Sequence, residues 1–129
     1  RNGKKSKKLG FVSGSIFSDG PQFVKANIKK LDKLTDKIRV KHQFPIFSAV
    51  DVLYTGVFER LPESKLPFEV RRPKFFKLWE NIVECGFITD IFMAPSWTKS
   101  VGARKEHSSA MKMGMSIYYL ESNEKISKE

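Results

Sequence analysis

The chain reads as an α/β protein, a three-layer sandwich on a mainly parallel sheet of about four or five strands, and three observations carry that expectation. Two short apolar runs, Leu9-Gly10-Phe11-Val12-Ser13 and Ile91-Phe92-Met93-Ala94, are too brief for helices. They have the continuous apolar character of strands buried on both faces. Other stretches carry apolar residues at helical spacing: Phe23, Ile28, Leu31 and Leu34 in one, Phe76, Trp79, Ile82 and Val83 in another. Asp90 to Leu120 reads as strand, loop, helix, strand. Such a βαβ unit delivers its loop to the carboxyl edge of the sheet, where open α/β folds bind ligands.

Taken in order, residues 1–8 form a basic tail with no apolar anchor, expected to be flexible. The first strand, 9–13, is followed by the loop Gly14-Ser15-Ile16-Phe17-Ser18-Asp19-Gly20. Its small and hydroxyl-bearing residues suit close approach to a phosphate and equally suit an ordinary turn. Asp19 is placed to cap the next helix, with Pro21 in its first turn and an end near Asp36 or Lys37. A second strand falls at Ile38 to Val40 or at Phe44 to Ser48. Residues 49–73 read as a long irregular segment with one short helix at Val50 to Phe58, a candidate flap over a site. Pro73 opens a helix that ends near Cys85-Gly86. The last helix spans about Ala103 to Met113, Gly114 ends it, and Met115 to Leu120 is a strand. The domain thus covers 9–120, and 121–129 is a charged, frayed tail.

Composition narrows the function classes. At 129 residues, 40% of them hydrophobic, the chain has the material for one ordinary core. A single cysteine, Cys85, excludes an internal disulfide framework and is compatible with a reducing, cytoplasmic location. No apolar run approaches the roughly 18 residues that span a bilayer, and no signal-peptide or metal-ligand pattern is visible. The formal charge of +10 falls to +5 when the five basic residues of the tail (Arg1, Lys4, Lys5, Lys7, Lys8) are set aside. The body therefore favours anionic ligands, without choosing a nucleotide over a polymer.

Glu106 lies six residues beyond Ser100, placed by pattern in the first turn of its helix. There the helix dipole keeps a carboxylate ionised, which suits a nucleophile and equally a plain first-turn glutamate. His42 has no partner in sequence and is left outside the site.

Four pieces occur in a telling order: Phe11-Val12-Ser13-Gly14-Ser15-Ile16, Phe44-Pro45-Ile46-Phe47-Ser48, Asp90-Ile-Phe-Met-Ala-Pro-Ser-Trp97 and Ser100-Val-Gly-Ala-Arg-Lys-Glu106. Together with Ala110 and Gly114 they resemble the nucleoside 2-deoxyribosyltransferase superfamily. The likeness is greatest to its deoxynucleoside 5′-monophosphate N-glycosidases and to small phage and bacterial relatives with a Gly-Trp-x-x-Ser-x-Gly-x-x-x-Glu signature. Ser96 replaces that glycine, whereas Trp97, Ser100, Gly102 and Glu106 match.

The resemblance implies a flavodoxin-like or Rossmann-like sheet, no cofactor, an oligomer, and a nucleotide or nucleoside ligand. Glu106 becomes the nucleophile on the anomeric carbon, in the manner of retaining glycosidases. Gly14, Ser15, Ser18, Ser100 and Gly102 become phosphate contacts, Phe17 and Trp97 pocket walls, and Asp90 a structural residue at a strand start. Two departures stand out. Phe17 occupies the place of an arginine, and Ile82 that of the family's helix aspartate, leaving Glu80, Asn81 and Glu84 as candidate replacements. These departures favour the alternative of a catalytically weak nucleotide binder or sensor. A basic scaffold or nucleic-acid-associated protein is a further alternative, which no stacked-aromatic or groove-reading motif supports.

Overall fold

The computed structural model describes residues 7–16, 19–53, 65–95 and 97–121, together with the backbone of 126–128. Phe17, Ser18, Ser96 and the middle of the expected flap, 54–64, lie outside the described residues.

The α/β sandwich expected from the pattern is present. In chain order its elements are β1 (Gly10–Ser13), α1 (Val24–Lys41, after a 3-10 turn at Pro21–Phe23), β2 (Ile46–Ser48), α2 (Ala49–Leu53), α3 (Phe68–Val83), β3 (Asp90–Met93), α4 (Val101–Lys112), β4 (Ser116–Leu120) and β5 (Ile126–Lys128). The sheet order is β2-β1-β3-β4-β5, with β1 to β4 parallel and β5 antiparallel to β4. Every residue of β1 and β3 is buried, as continuous apolar strands covered on both faces should be. Phe11, Val12, Ile91, Phe92 and Met93 supply the middle of the core, and Trp79 of α3 stacks on Phe11 with ring centroids 5.6 Å apart.

α3 and α4 pack on each other, while α1 packs on β2 and α2, the separation that right-handed crossovers produce in this strand order. The chain leaves β1 towards β2 on one side, while β3 lies on the other. The carboxyl ends of β1 and β3 therefore flank the topological switch point, where such sheets open a crevice.

Several boundaries differ from the pattern. Ile38 to Val40 belong to α1, which continues to Lys41 because Leu31, Thr35 and Ile38 keep a buried stripe in register. Asp19 makes no cap; its carboxylate instead accepts from Asn27 Nδ2 at 2.9 Å and from Ser15 Oγ at 3.1 Å. α3 begins at Phe68, so Pro73 is internal. Pro73 is solvent-exposed, on the side where a helix bends most easily around a missing amide. The expected flap is thus helical at both of its described ends. Residues 126–128 are not frayed; they pair with β4, Tyr118 opposite Lys128 and Leu120 opposite Ile126. Gly114, at φ 70°, reverses the chain after α4, and Met115 donates back to the Ala110 carbonyl at 3.0 Å. Of the basic tail, Lys7 and Lys8 are described; both are exposed, and the Lys8 ammonium lies 5.3 Å from the Phe44 ring centroid.

Candidate functional site

α4 starts at the carboxyl edge because Ser100 caps it. The Ser100 hydroxyl accepts from the Ala103 amide at 3.1 Å, and its carbonyl accepts from Arg104 at 2.9 Å. Gly102 follows in the first turn, under the ring of Phe76 from α3. A Cβ there would stand 3.0 Å from two Phe76 ring carbons, so glycine is what allows the two helices to approach.

Glu106 is the sixth residue of α4, two residues further in than the sequence pattern placed it and so in the second turn. It is only 8% exposed and points at the sheet, where Ser13 Oγ donates to its Oε1 at 2.5 Å. Burial raises its pKa to about 8 against a lowering by the Ser13 hydrogen bond. The expectation of a dipole-stabilised, ionised carboxylate is therefore corrected. At pH 7 the protonated form is favoured, because desolvation outweighs a helix end already a turn away. The space beside the carboxyl is a cavity of about 20 Å³, walled by Phe75, Phe76, Leu31 and Gly14. That is room for one water.

A much larger groove, about 560 Å³, opens along the same edge. Gly14, Leu31 and Ser100 line both spaces and so form the wall between them. Ser15 and Trp97 also line the groove. Trp97 stacks on His107, centroids 4.1 Å apart, and His107 Nε2 lies 2.7 Å from the Tyr119 hydroxyl. The tryptophan is thus both a groove wall and part of a packed aromatic cluster.

Of the sequence candidates, the fold brings Gly14, Ser15, Ser100, Gly102, Trp97 and Glu106 to one edge. Ser18 and Phe17 lie outside the described residues. Glu80, Asn81 and Glu84 are not brought there. They occupy the far end of α3, where Glu80 pairs with Lys77 at 3.3 Å and Asn81 is exposed. Glu84 accepts from Ser109 Oγ at 2.5 Å and from Lys112 at 3.1 Å, two contacts that hold its carboxyl below the usual range. What α3 presents to the Glu106 cavity is Phe75 and Phe76, from the middle of the helix.

Asp90 sits at the opposite edge, accepting from Thr89 Oγ1 at 2.5 Å and from the Tyr118 hydroxyl at 3.0 Å. Burial, and then Asp90, raise the Tyr118 pKa. His42 packs among Phe44, Phe92 and Tyr118, away from Glu106.

Two residues escaped the sequence reading. Ser13 looked like a strand end, with no local signal of its contact. Asn27 is buried in α1 and donates to the Ile16 carbonyl at 3.2 Å and to Asp19, tying the loop after β1 to the helix. An asparagine on an otherwise apolar helix face was the available signal. Among the described residues no group of histidine, cysteine, aspartate and glutamate is arranged to hold a metal, and no helix is long and apolar enough to cross a membrane.

Compared with known proteins, the chain matches no protein-family model, no curated protein and no solved structure.

Proposed function

We propose that the chain is a nucleotide N-glycosidase of the nucleoside deoxyribosyltransferase type, cleaving the base–sugar bond of a nucleoside 5′-phosphate with Glu106 as nucleophile. The observation that carries this reading is the buried Glu106 carboxyl at the switch point of the sheet, hydrogen-bonded to Ser13 and raised to a pKa of about 8. A carboxyl so perturbed by burial, beside an open groove, is characteristic of a working group.

In this reading the ionised Glu106 attacks the anomeric carbon as the bond to the base breaks, the bonding electrons leaving with the base. The sugar becomes an ester of Glu106, which water then hydrolyses. The positive charge developing on the sugar favours the ionised carboxylate at the moment it is needed, offsetting its desolvation. Because the cavity beside Glu106 has room for only about one water, a sugar reaches the carboxyl only when Phe76 or Leu31 swings aside. Among the described residues no acidic side chain besides Glu106 lines its cavity, and Asp19 and Glu121 line the groove beyond it. The proton for the leaving base comes from solvent, and turnover is slower by the roughly 10² to 10⁴ that a positioned general acid supplies.

The same absence, with Phe75 and Phe76 closing the pocket, favours a second reading: a nucleotide binder that turns over little. Incubation with each deoxyribonucleoside and ribonucleoside 5′-monophosphate, following release of free base, separates the two. Base released by the parent and not by Glu106→Gln is expected. Thermal stabilisation by a nucleotide without base release would replace the glycosidase by the binder, and retained release in Glu106→Gln would remove Glu106 from the role.

A further inference from the structure

Lysines line the groove beside the Glu106 cavity over a greater length than one phosphate spans. Lys30, Lys33 and Lys37 stand at i, i+3 and i+7 along α1, spanning about 10 Å of helix. Lys99, in the short turn before α4, joins them in the lining. All four lysines are exposed. The carboxylates of Asp19 and Glu121 line the same groove, so among the described lining residues four lysines stand beside two carboxylates.

A volume of about 560 Å³ is that of a small-molecule site, and its floor at Gly14 and Ser15 runs up to the wall shared with Glu106. A single 5′-phosphate beside Gly14 and Ser15 would occupy one end of the groove and would not extend along the lysine row of α1. A long polyanion, in turn, would meet the two carboxylates. The charge and volume fit a compact ligand with several negative charges in a short line.

We propose that the ligand of this edge is a nucleotide with at least two phosphates at its 5′ end, the outer phosphates held by Lys30, Lys33 and Lys99. The assignment rests on the glycosidase reading only for where the sugar lies. The polyphosphate site is defined by the groove and its lysines alone.

The test is equilibrium binding of matched deoxynucleoside 5′-mono-, di- and triphosphates to the parent protein and to the double variant Lys30→Ala/Lys33→Ala, whose substituted residues are exposed on α1. Circular dichroism confirms that the variant is folded. The parent is expected to bind the diphosphate about tenfold or more tightly than the monophosphate, as added charge-assisted contacts imply. That gap closes in the double variant and shrinks with added salt. Equal affinity for mono- and diphosphate, or a preference that survives loss of both lysines, overturns the proposal. So does tighter, lysine-dependent binding of a single-stranded oligonucleotide, which would make the groove a polymer track. A diphosphate preference without base release from any nucleotide would sink the glycosidase and leave this site standing. Base release from monophosphates with no diphosphate preference would do the reverse.

Discussion

Ser13, the last residue of β1, donates its hydroxyl to Glu106 of α4 at 2.5 Å across 93 positions of sequence. The pair joins the sheet to the helix at the switch point and fixes the one buried carboxyl among the described residues of the carboxyl edge. The proton on that carboxyl is held chiefly by desolvation, and the serine works against it.

Stability should fall with rising pH between about 4.5 and 8 on account of this residue. In that window the unfolded chain has released the Glu106 proton and the folded chain still binds it, so each pH unit weakens folding. Over the full shift the effect is on the order of 5 kcal/mol. Denaturant melts at pH 5, 7 and 9 measure it, and Glu106→Gln, which accepts the same Ser13 bond without titrating, should give a flatter profile and exceed the parent at pH 9.

The same proton sets activity. Base release should rise as pH climbs towards 8, since only the ionised form attacks. Ser13→Ala removes the contact that lowers the pKa, so the midpoint of its profile should move to higher pH, with about 1–2 kcal/mol of lost stability from the broken bond. An unmoved midpoint would detach Ser13 from the ionisation of Glu106.

Gly102 and Phe76 should be coupled with a change of sign. Gly102→Ala alone is expected to destabilise, its methyl pressing on the Phe76 ring. With Phe76→Ala already in place, the same substitution should stabilise by up to about 1 kcal/mol from helix propensity. A double-mutant cycle checks this. Phe76→Ala by itself enlarges the space at Glu106 and should speed any base release.

Asn27→Ala should loosen the loop after β1, because the Ile16 carbonyl loses the Asn27 donor and Asp19 keeps only that of Ser15. A loss of about 1–2 kcal/mol is expected, along with weaker nucleotide binding. Hydrogen exchange of residues 14–16 reports the loosening directly.

Glu84→Gln, in contrast, should leave base release unaltered, since that carboxylate is engaged by Ser109 and Lys112 at the far end of α3. A large fall in turnover would return Glu84 to the chemistry.

Local rules determined a good part of this protein. The apolar runs of β1 and β3, the stop at Gly114 and the βαβ order each depend on residues a few positions apart, and together they fix an α/β sheet with its loops at one edge. Glu106, Ser100 and Gly102 were legible as a group because their spacing is itself local.

Only the tertiary structure decided the protonation of Glu106. Desolvation is a sum over neighbours brought from α1, β1 and α3, none of which its own helix reveals. The same holds for the capture of Glu84 by α4, the pairing of residues 126–128 with β4, and the lysine groove. Each is a meeting of segments distant in sequence, selected by burial and by hydrogen bonds that no local pattern encodes.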